Sequence, residues 1–104
     1  MKKIVITGGE GLIGKKLQEH FADKYEVISL DISLGHDLTD EKFVKDFFES
    51  TNDIYGLVVL HAYNPLPLEN TSKVEPIDFD LNEIRDYMNV NVISAFDVCR
   101  NFIK

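Results

Sequence analysis

A chain of 104 residues with 18 acidic against 11 basic side chains, a formal charge of −7, is the size of one domain and carries a balance that repels nucleic acid and anionic membrane surfaces. At 44% hydrophobic and 28% charged residues it is expected to be globular rather than disordered. Too few apolar residues follow Met1-Lys2-Lys3 for a secretory signal, no stretch approaches the roughly 20 apolar residues of a membrane span, and the single Cys99 fits a reducing, cytoplasmic setting.

The first element is Ile4-Val5-Ile6, a β-branched run of the kind found in parallel strands buried on both faces. Directly after it, four of the six glycines fall within Thr7-Gly8-Gly9-Glu10-Gly11-Leu12-Ile13-Gly14, ahead of an amphipathic segment. Strand, glycine turn and helix in that order are what a dinucleotide-binding turn requires, and a Gly-rich hairpin would not be followed by a helical pattern. Gly8 lets the chain turn sharply, Gly11 leaves no Cβ between the backbone and a pyrophosphate, and Gly14 lets the first helical turn lie close to the strand. With Thr7 closing the strand, the free amides near Leu12, Ile13 and Gly14 point at the bound phosphates. The helix dipole adds about 0.3 to 1 kcal/mol to anion binding there, or up to ~2 in a partly buried site. Lys15-Lys16 stands where a mononucleotide P-loop has Lys-Ser or Lys-Thr, which argues against that alternative.

Leu12, Ile13, Leu17 and Phe21 share one helical face, so a helix is predicted from 12 to 22. A second strand follows from 26 to 31 and ends on a carboxylate. In a βαβ nucleotide fold that place lies beside the adenosine ribose, where an acid accepts hydrogen bonds from the sugar hydroxyls. Asp31 stands 17 residues after Gly14, near the usual interval of about 20. It would repel a 2′-phosphate, and positions 32 to 38 hold no Arg or Lys to neutralise one. NAD is therefore expected as cofactor, in preference to NADP. The alternative for Asp31 is an ordinary exposed acid at a strand end.

Only a short segment separates Asp31 from Asp37, too brief for a crossover helix, so any third strand there is short or irregular. Thr39 or Asp40 then caps a helix whose apolar side carries Phe43, Val44, Phe47 and Phe48. Residues 56 to 62 form a continuous apolar strand. A loop from 63 to 79 follows, interrupted by Pro65, Pro67 and Pro76; its length points to a functional segment over the site. Asp80 with Glu83 resembles a capping box, and Ile84, Tyr87, Met88, Asn91, Val92, Ala95, Cys99 and Phe102 predict one long helix to the last residue.

These landmarks together resemble the short-chain dehydrogenase/reductase family, over residues 3 to 104 and its amino-terminal, NAD(P)-binding portion only. The Thr-Gly-x-x-Gly-x-x-Gly spacing of residues 7 to 14 is similar to that of the extended members, and Asp37-Leu38-Thr39-Asp40 resembles the family's Asp-Val/Leu segment. The resemblance implies a Rossmann-like α/β fold, a parallel sheet with flanking helices. It also implies that Asp37 and Leu38 meet the adenine, that Ala62 lines the cofactor channel, and that Asn91 is the helix asparagine of the catalytic proton relay. His61-Ala62-Tyr63 departs from the family's Asn-Ala-Gly, sharing only the central Ala.

The resemblance further implies a hydride transfer between nicotinamide and a carbonyl or hydroxyl carbon, using a Ser and a Tyr-x-x-x-Lys pair. Neither set is present: four residues after Tyr25, Tyr55, Tyr63 and Tyr87 stand Ser29, Val59, Pro67 and Asn91. The expectation is a dinucleotide-binding domain over 1–104 that is inactive alone. It is read as a piece of a longer dehydrogenase, or as a chain whose open sheet edge is covered by a partner such as a second copy. The competing reading is a non-catalytic, dinucleotide-responsive regulator or subunit. His20, His36 and His61 lack companions at metal-ligand spacing, so no metal is expected. His61 reads as a core or site-lining histidine and Cys99 as a small buried hydrophobe.

Overall fold

A computed structural model describes residues 1–63, 77 and 80–104. Most of the expected loop, including its three prolines, Glu75 and Asp78, lies outside the described residues.

Strand β1 (Lys3–Thr7) forms the middle of a three-stranded parallel sheet, flanked by β2 (Glu26–Leu30) and β3 (Ile54–Val59) in the order β2-β1-β3. Its central position explains its composition. Ile4, Val5 and Ile6 are buried, the last two completely, because helices cover both faces of a doubly wound sheet. Burying each such side chain contributes roughly 1.5 to 3 kcal/mol relative to leaving it exposed. Val5, Leu30, Leu38, Val44 and Val98 form the core cluster, which joins the sheet to α2 (Glu41–Ser50) and to α4 (Ser94–Ile103).

The chain crosses from β1 to β2 through α1 (Leu12–Phe21). Leu17 and Phe21 are half-buried as the pattern predicts, but Leu12 and Ile13 are 78% and 63% exposed. The buried residue of α1 is Gly14, so this helix meets the sheet through backbone at its first turn and through side chains only further on.

Asp31 lies just past β2 and caps a 3₁₀ turn (Ile32–Leu34). No strand forms between 31 and 40; the next strand, β3, pairs directly with β1. Asp40 caps α2, its carboxylate accepting from the amides of Lys42 and Phe43, a contribution of typically about 1 kcal/mol. β3 ends at Val59, earlier than the 62 expected from apolarity; the Leu60 amide still donates to the Thr7 carbonyl at 3.0 Å, and beyond it the His61 ring turns to the Thr7 hydroxyl. Among the described residues β2 and β3 each pair on one side only, so both sheet edges are open.

The last helical stretch is not one regular helix. Asp80 caps α3 (Leu81–Met88), then five residues, Asn89–Ile93, form a π turn before α4 resumes the α-helical pattern. Ile84, Tyr87, Met88 and Val92, expected on a buried face, are exposed, whereas Ser94, Asp97 and Val98 beyond the π turn are buried. Asp97 tolerates burial because its carboxylate accepts from Arg100 and Asn101. Cys99 is half-buried and unpaired. Among the described residues no helix is long and apolar enough to cross a membrane, and no cluster of potential ligands could hold a metal ion.

Candidate functional site

The turn after β1 is built by contact distances. Gly8 has φ +68°, a left-handed conformation that side chains rarely adopt, and a Cβ there would stand 2.7 Å from the His61 amide nitrogen. A Cβ on Gly14 would stand 2.5 Å from the Gly8 carbonyl oxygen and 2.6 Å from that of Gly9. Gly9, which sequence reasoning passed over, is equally constrained, since a Cβ would collide with the Ser29 side chain of β2. Gly11 differs from all three. A Cβ there meets only the Gly8 carbonyl oxygen, at 3.5 Å, so the protein itself does not demand glycine at that position.

Gly11 is also the N-cap of α1, and no side chain caps that helix. The contrast with α2 and α3, both capped by aspartate, is physical: the first amides of α1 keep their donors available for an external acceptor. The first turn of α1 holds no acid to compete with an anion.

These residues open onto a cleft of about 390 Å³ at the carboxyl ends of the strands, within the size range of small-molecule sites. Gly8, Gly11, Asp31, Asp37, Leu38 and Ala62 line it, so the structure brings together six of the residues singled out in the sequence. Thr7, Leu12, Ile13, Gly14 and Asn91 do not line it. Thr7 is fully buried beneath the cleft, and Gly14 supports the turn from behind. Ile32, His36, Thr39, Leu60, His61, Tyr63, Val90 and Ser94 complete the wall. Of these, His61 alone is read from the sequence as a possible site-lining residue; the others escape sequence reasoning because they meet only when the sheet order brings their segments together.

Asp31 has two duties. One carboxylate oxygen accepts from the amide of Ser33 at 2.9 Å, and the other from the amide of Glu10 at 3.0 Å. The second bond ties the glycine turn to the end of β2. Burial tends to raise the Asp31 pKa, but the two amides and the nearby His36 outweigh it and hold the carboxyl below its ordinary value. Each oxygen retains acceptor capacity beyond its one amide. Glu10 lies beside it; hydrogen bonds from Gln18 and Ser29 to Glu10 hold its pKa down too, against the opposing charge of Asp31. Two carboxylates thus stand at the turn, and no Lys or Arg lines the cleft among the described residues.

Asp37 is engaged locally, accepting from the Thr39 amide at 3.0 Å and the Thr39 hydroxyl at 2.6 Å. Leu38 belongs to the core as well as to the cleft wall. Asn91 uses both ends of its side-chain amide on the main chain of Tyr63, accepting from its N–H at 3.0 Å and donating to its carbonyl at 2.8 Å. It thereby fastens the segment leaving β3 to the helix. A second depression, of about 700 Å³ between α2 and α4, is walled mostly by charged side chains, several of them paired along their own helices, such as Lys42 with Asp46 and Arg100 with Asp97. It presents no comparable convergence of backbone donors.

No protein-family model and no curated protein matches the sequence. Solved structures do match. A small-chain dehydrogenase superposes with a TM-score of 0.81 at 20% identity, over 96% of this chain and 49% of that one. A short chain dehydrogenase from Burkholderia cenocepacia, solved with NADP, matches with a TM-score of 0.74 at 18% identity, over 99% of this chain and 48% of its own. A dTDP-4-dehydrorhamnose reductase from Bacillus anthracis, also solved with NADP, matches with a TM-score of 0.71 at 24% identity, over 97% of this chain and 32% of its own. The chain therefore has the Rossmann-like fold of the short-chain dehydrogenases, of whose length it spans half or less.

Proposed function

We propose that this chain is the nicotinamide-dinucleotide-binding part of a short-chain dehydrogenase. The observation that carries the reading is the pairing of an uncapped helix start at Gly11 with a cleft that the same glycine opens. The pyrophosphate would lie over Gly11 and accept from the amides of Leu12, Ile13 and Gly14. The adenosine ribose would donate its hydroxyls to Asp31, with the adenine toward Asp37 and Leu38 and the remainder of the cofactor passing Ala62. When bound, the cofactor supplies hydride chemistry; the residues of this chain hold and orient it.

NAD is the proposed cofactor. The neighbouring structures solved with NADP keep NADP in contention, but Glu10 and Asp31 would face a 2′-phosphate with like charge, and the lining has no cation among the described residues. Binding without turnover is expected of these residues by themselves, because they include no Tyr-x-x-x-Lys pair. The bonds from Asn91 to Tyr63 support the second reading, a dinucleotide-binding regulator or subunit, since that amide is committed to holding the fold. Calorimetric titration with NAD and NADP tests the proposal: NAD should bind more tightly. Tighter NADP binding would overturn the cofactor choice, binding of neither would overturn the assignment, and sustained NADH formation by this chain would overturn the prediction of no turnover.

A further inference from the structure

His61 sits at the floor of the cleft, where β3 ends, and its ring bridges the sheet to the last helical stretch. Its Nδ1 lies 2.7 Å from the Thr7 hydroxyl and its Nε2 lies 2.8 Å from the Ser94 hydroxyl. The surrounding donors fix the direction of every proton. The amide of Leu60 is shared between the Thr7 carbonyl at 3.0 Å and Thr7 Oγ1 at 3.1 Å, and the Ser94 hydroxyl donates to the Val90 carbonyl. Since Ser94 has spent its proton on Val90, it accepts from His61 Nε2–H; Nδ1 is then a bare acceptor for the Thr7 hydroxyl proton. One continuous, one-way chain results, from Leu60 through Thr7, His61 and Ser94 to Val90.

The π turn makes the last link possible. The amide of Ser94 bonds to the Asn89 carbonyl, one residue further back than in an α-helix, where it would take Val90's. The Val90 carbonyl is thus left for the Ser94 hydroxyl.

We propose that His61 is a positioning residue of the dinucleotide cleft, which keeps its shape only while the imidazole is neutral and protonated on Nε2, so that acid releases the nucleotide through this one side chain. A proton added at Nδ1 would turn the acceptor into a second donor facing Thr7, whose hydroxyl proton would lose its partner inside the protein. Thr7 and Ser94 are almost fully buried, so neither can turn to water instead. Burial pushes the imidazole pKa below its ordinary 6.5. The groups bonded to the His61 ring, Thr7 from β1 and Ser94 from the start of α4, are uncharged, with Asp86 of α3 one turn before Val90. Across the cleft stand Asp31, His36 and Asp37. His36 is the other histidine that lines the cleft among the described residues, its Nδ1 accepting from the Asp31 amide at 3.2 Å.

The inference rests on the dinucleotide reading, and its test separates the two. Nitrogen-15 NMR of the three histidines, with titration from pH 8 to 5, reads tautomer and midpoint directly in the whole chain. His61 should be protonated on Nε2 at pH 7.5 and titrate below 6.5. NAD affinity measured over the same range should fall by about tenfold per pH unit below that midpoint. The transition should persist in His36→Gln and vanish in His61→Gln, which can bridge the two hydroxyls without titrating and should recover part of the affinity lost in His61→Ala. An Nδ1 proton, a midpoint at or above 6.5, or a transition that moves with His36 overturns the proposal. If neither nucleotide binds at any pH, the cofactor assignment fails, and the tautomer and midpoint alone decide whether the chain of bonds exists.

Discussion

The main-chain amide of Glu10 donates to a carboxylate oxygen of Asp31 at 3.0 Å, joining two positions 21 residues apart. The acid read as a sugar-binding group is thus also the fastening between the glycine turn and the end of β2. Asp31→Ala should therefore do two things at once. Leaving the Glu10 and Ser33 amides without their acceptor should cost about 1 to 3 kcal/mol, seen as a lower melting temperature. It should also bring the NAD and NADP dissociation constants closer together.

Gly11→Ala separates folding from binding. The residue has φ −77° and ψ 179°, open to alanine, and the new methyl finds ordinary contact distance. Stability should change by less than about 1 kcal/mol, since the gain through the unfolded state opposes alanine's poorer fit to an N-cap, while NAD affinity falls at least about tenfold, about 1.4 kcal/mol. Gly14→Ala, by contrast, should disrupt the fold, because two carbonyl oxygens occupy the space the methyl needs. Thermal melts beside nucleotide titrations of both variants check the contrast.

Glu10→Gln removes one of the two negative charges at the turn while keeping a side chain able to accept from Gln18 and Ser29. NADP affinity should rise by about three- to tenfold and NAD affinity by less, with the difference shrinking as salt is added. Equal changes for both nucleotides would show that Glu10 does not sense the 2′ position.

Asn91→Ala tests the structural role of this asparagine. Losing both bonds to Tyr63 should cost about 1 to 2 kcal/mol and speed amide exchange at Tyr63, with any loss of nucleotide affinity following the loss of stability. A variant of unaltered stability that no longer binds nucleotide would instead place Asn91 at the ligand.

Acid should destabilise the fold in two stages. His61 titrates below 6.5 in the folded protein, so between its folded and unfolded values the unfolded chain binds the extra proton and stability declines as pH falls through that window. Asp31, held below 3.8, contributes stability that is complete above 3.8 and disappears as pH falls through its folded value. Chemical denaturation at a series of pH values from 7.5 to 3 should show the upper stage removed in His61→Gln.

Much of this architecture is legible in the sequence where local and global demands coincide. Val5 and Ile6 read as doubly buried and are; Gly8 and Gly14 read as obligatory and are held by steric contact. Asp31 is read as a ribose-facing acid from strand-end chemistry alone, and it does line the cleft, although its bonds to Glu10 and Ser33 are not legible in the sequence. The failures share a cause. Leu12 and Ile13 fit a helical stripe, but the stripe begins before the helix reaches side-chain contact with the sheet. Ile84, Tyr87 and Met88 follow the same period as Cys99 and Phe102, which are half-buried, yet the π turn between them breaks the phase, and nothing in residue type marks it. His61 was placed at the site without its partners, because Thr7 and Ser94 are remote in sequence and meet only after the sheet forms.

One residue wedged into a helix rotates everything downstream by about 100°. The polypeptide thereby obtains two differently aimed surfaces from what reads as a single rod: its front grips the exit of β3 through Asn91, and its rear sends Val98 into the interior. A homologous chain shorter by one residue between 89 and 93 would offer a different side chain to position 61. Helix length and the identity of that residue are thus bound to change together.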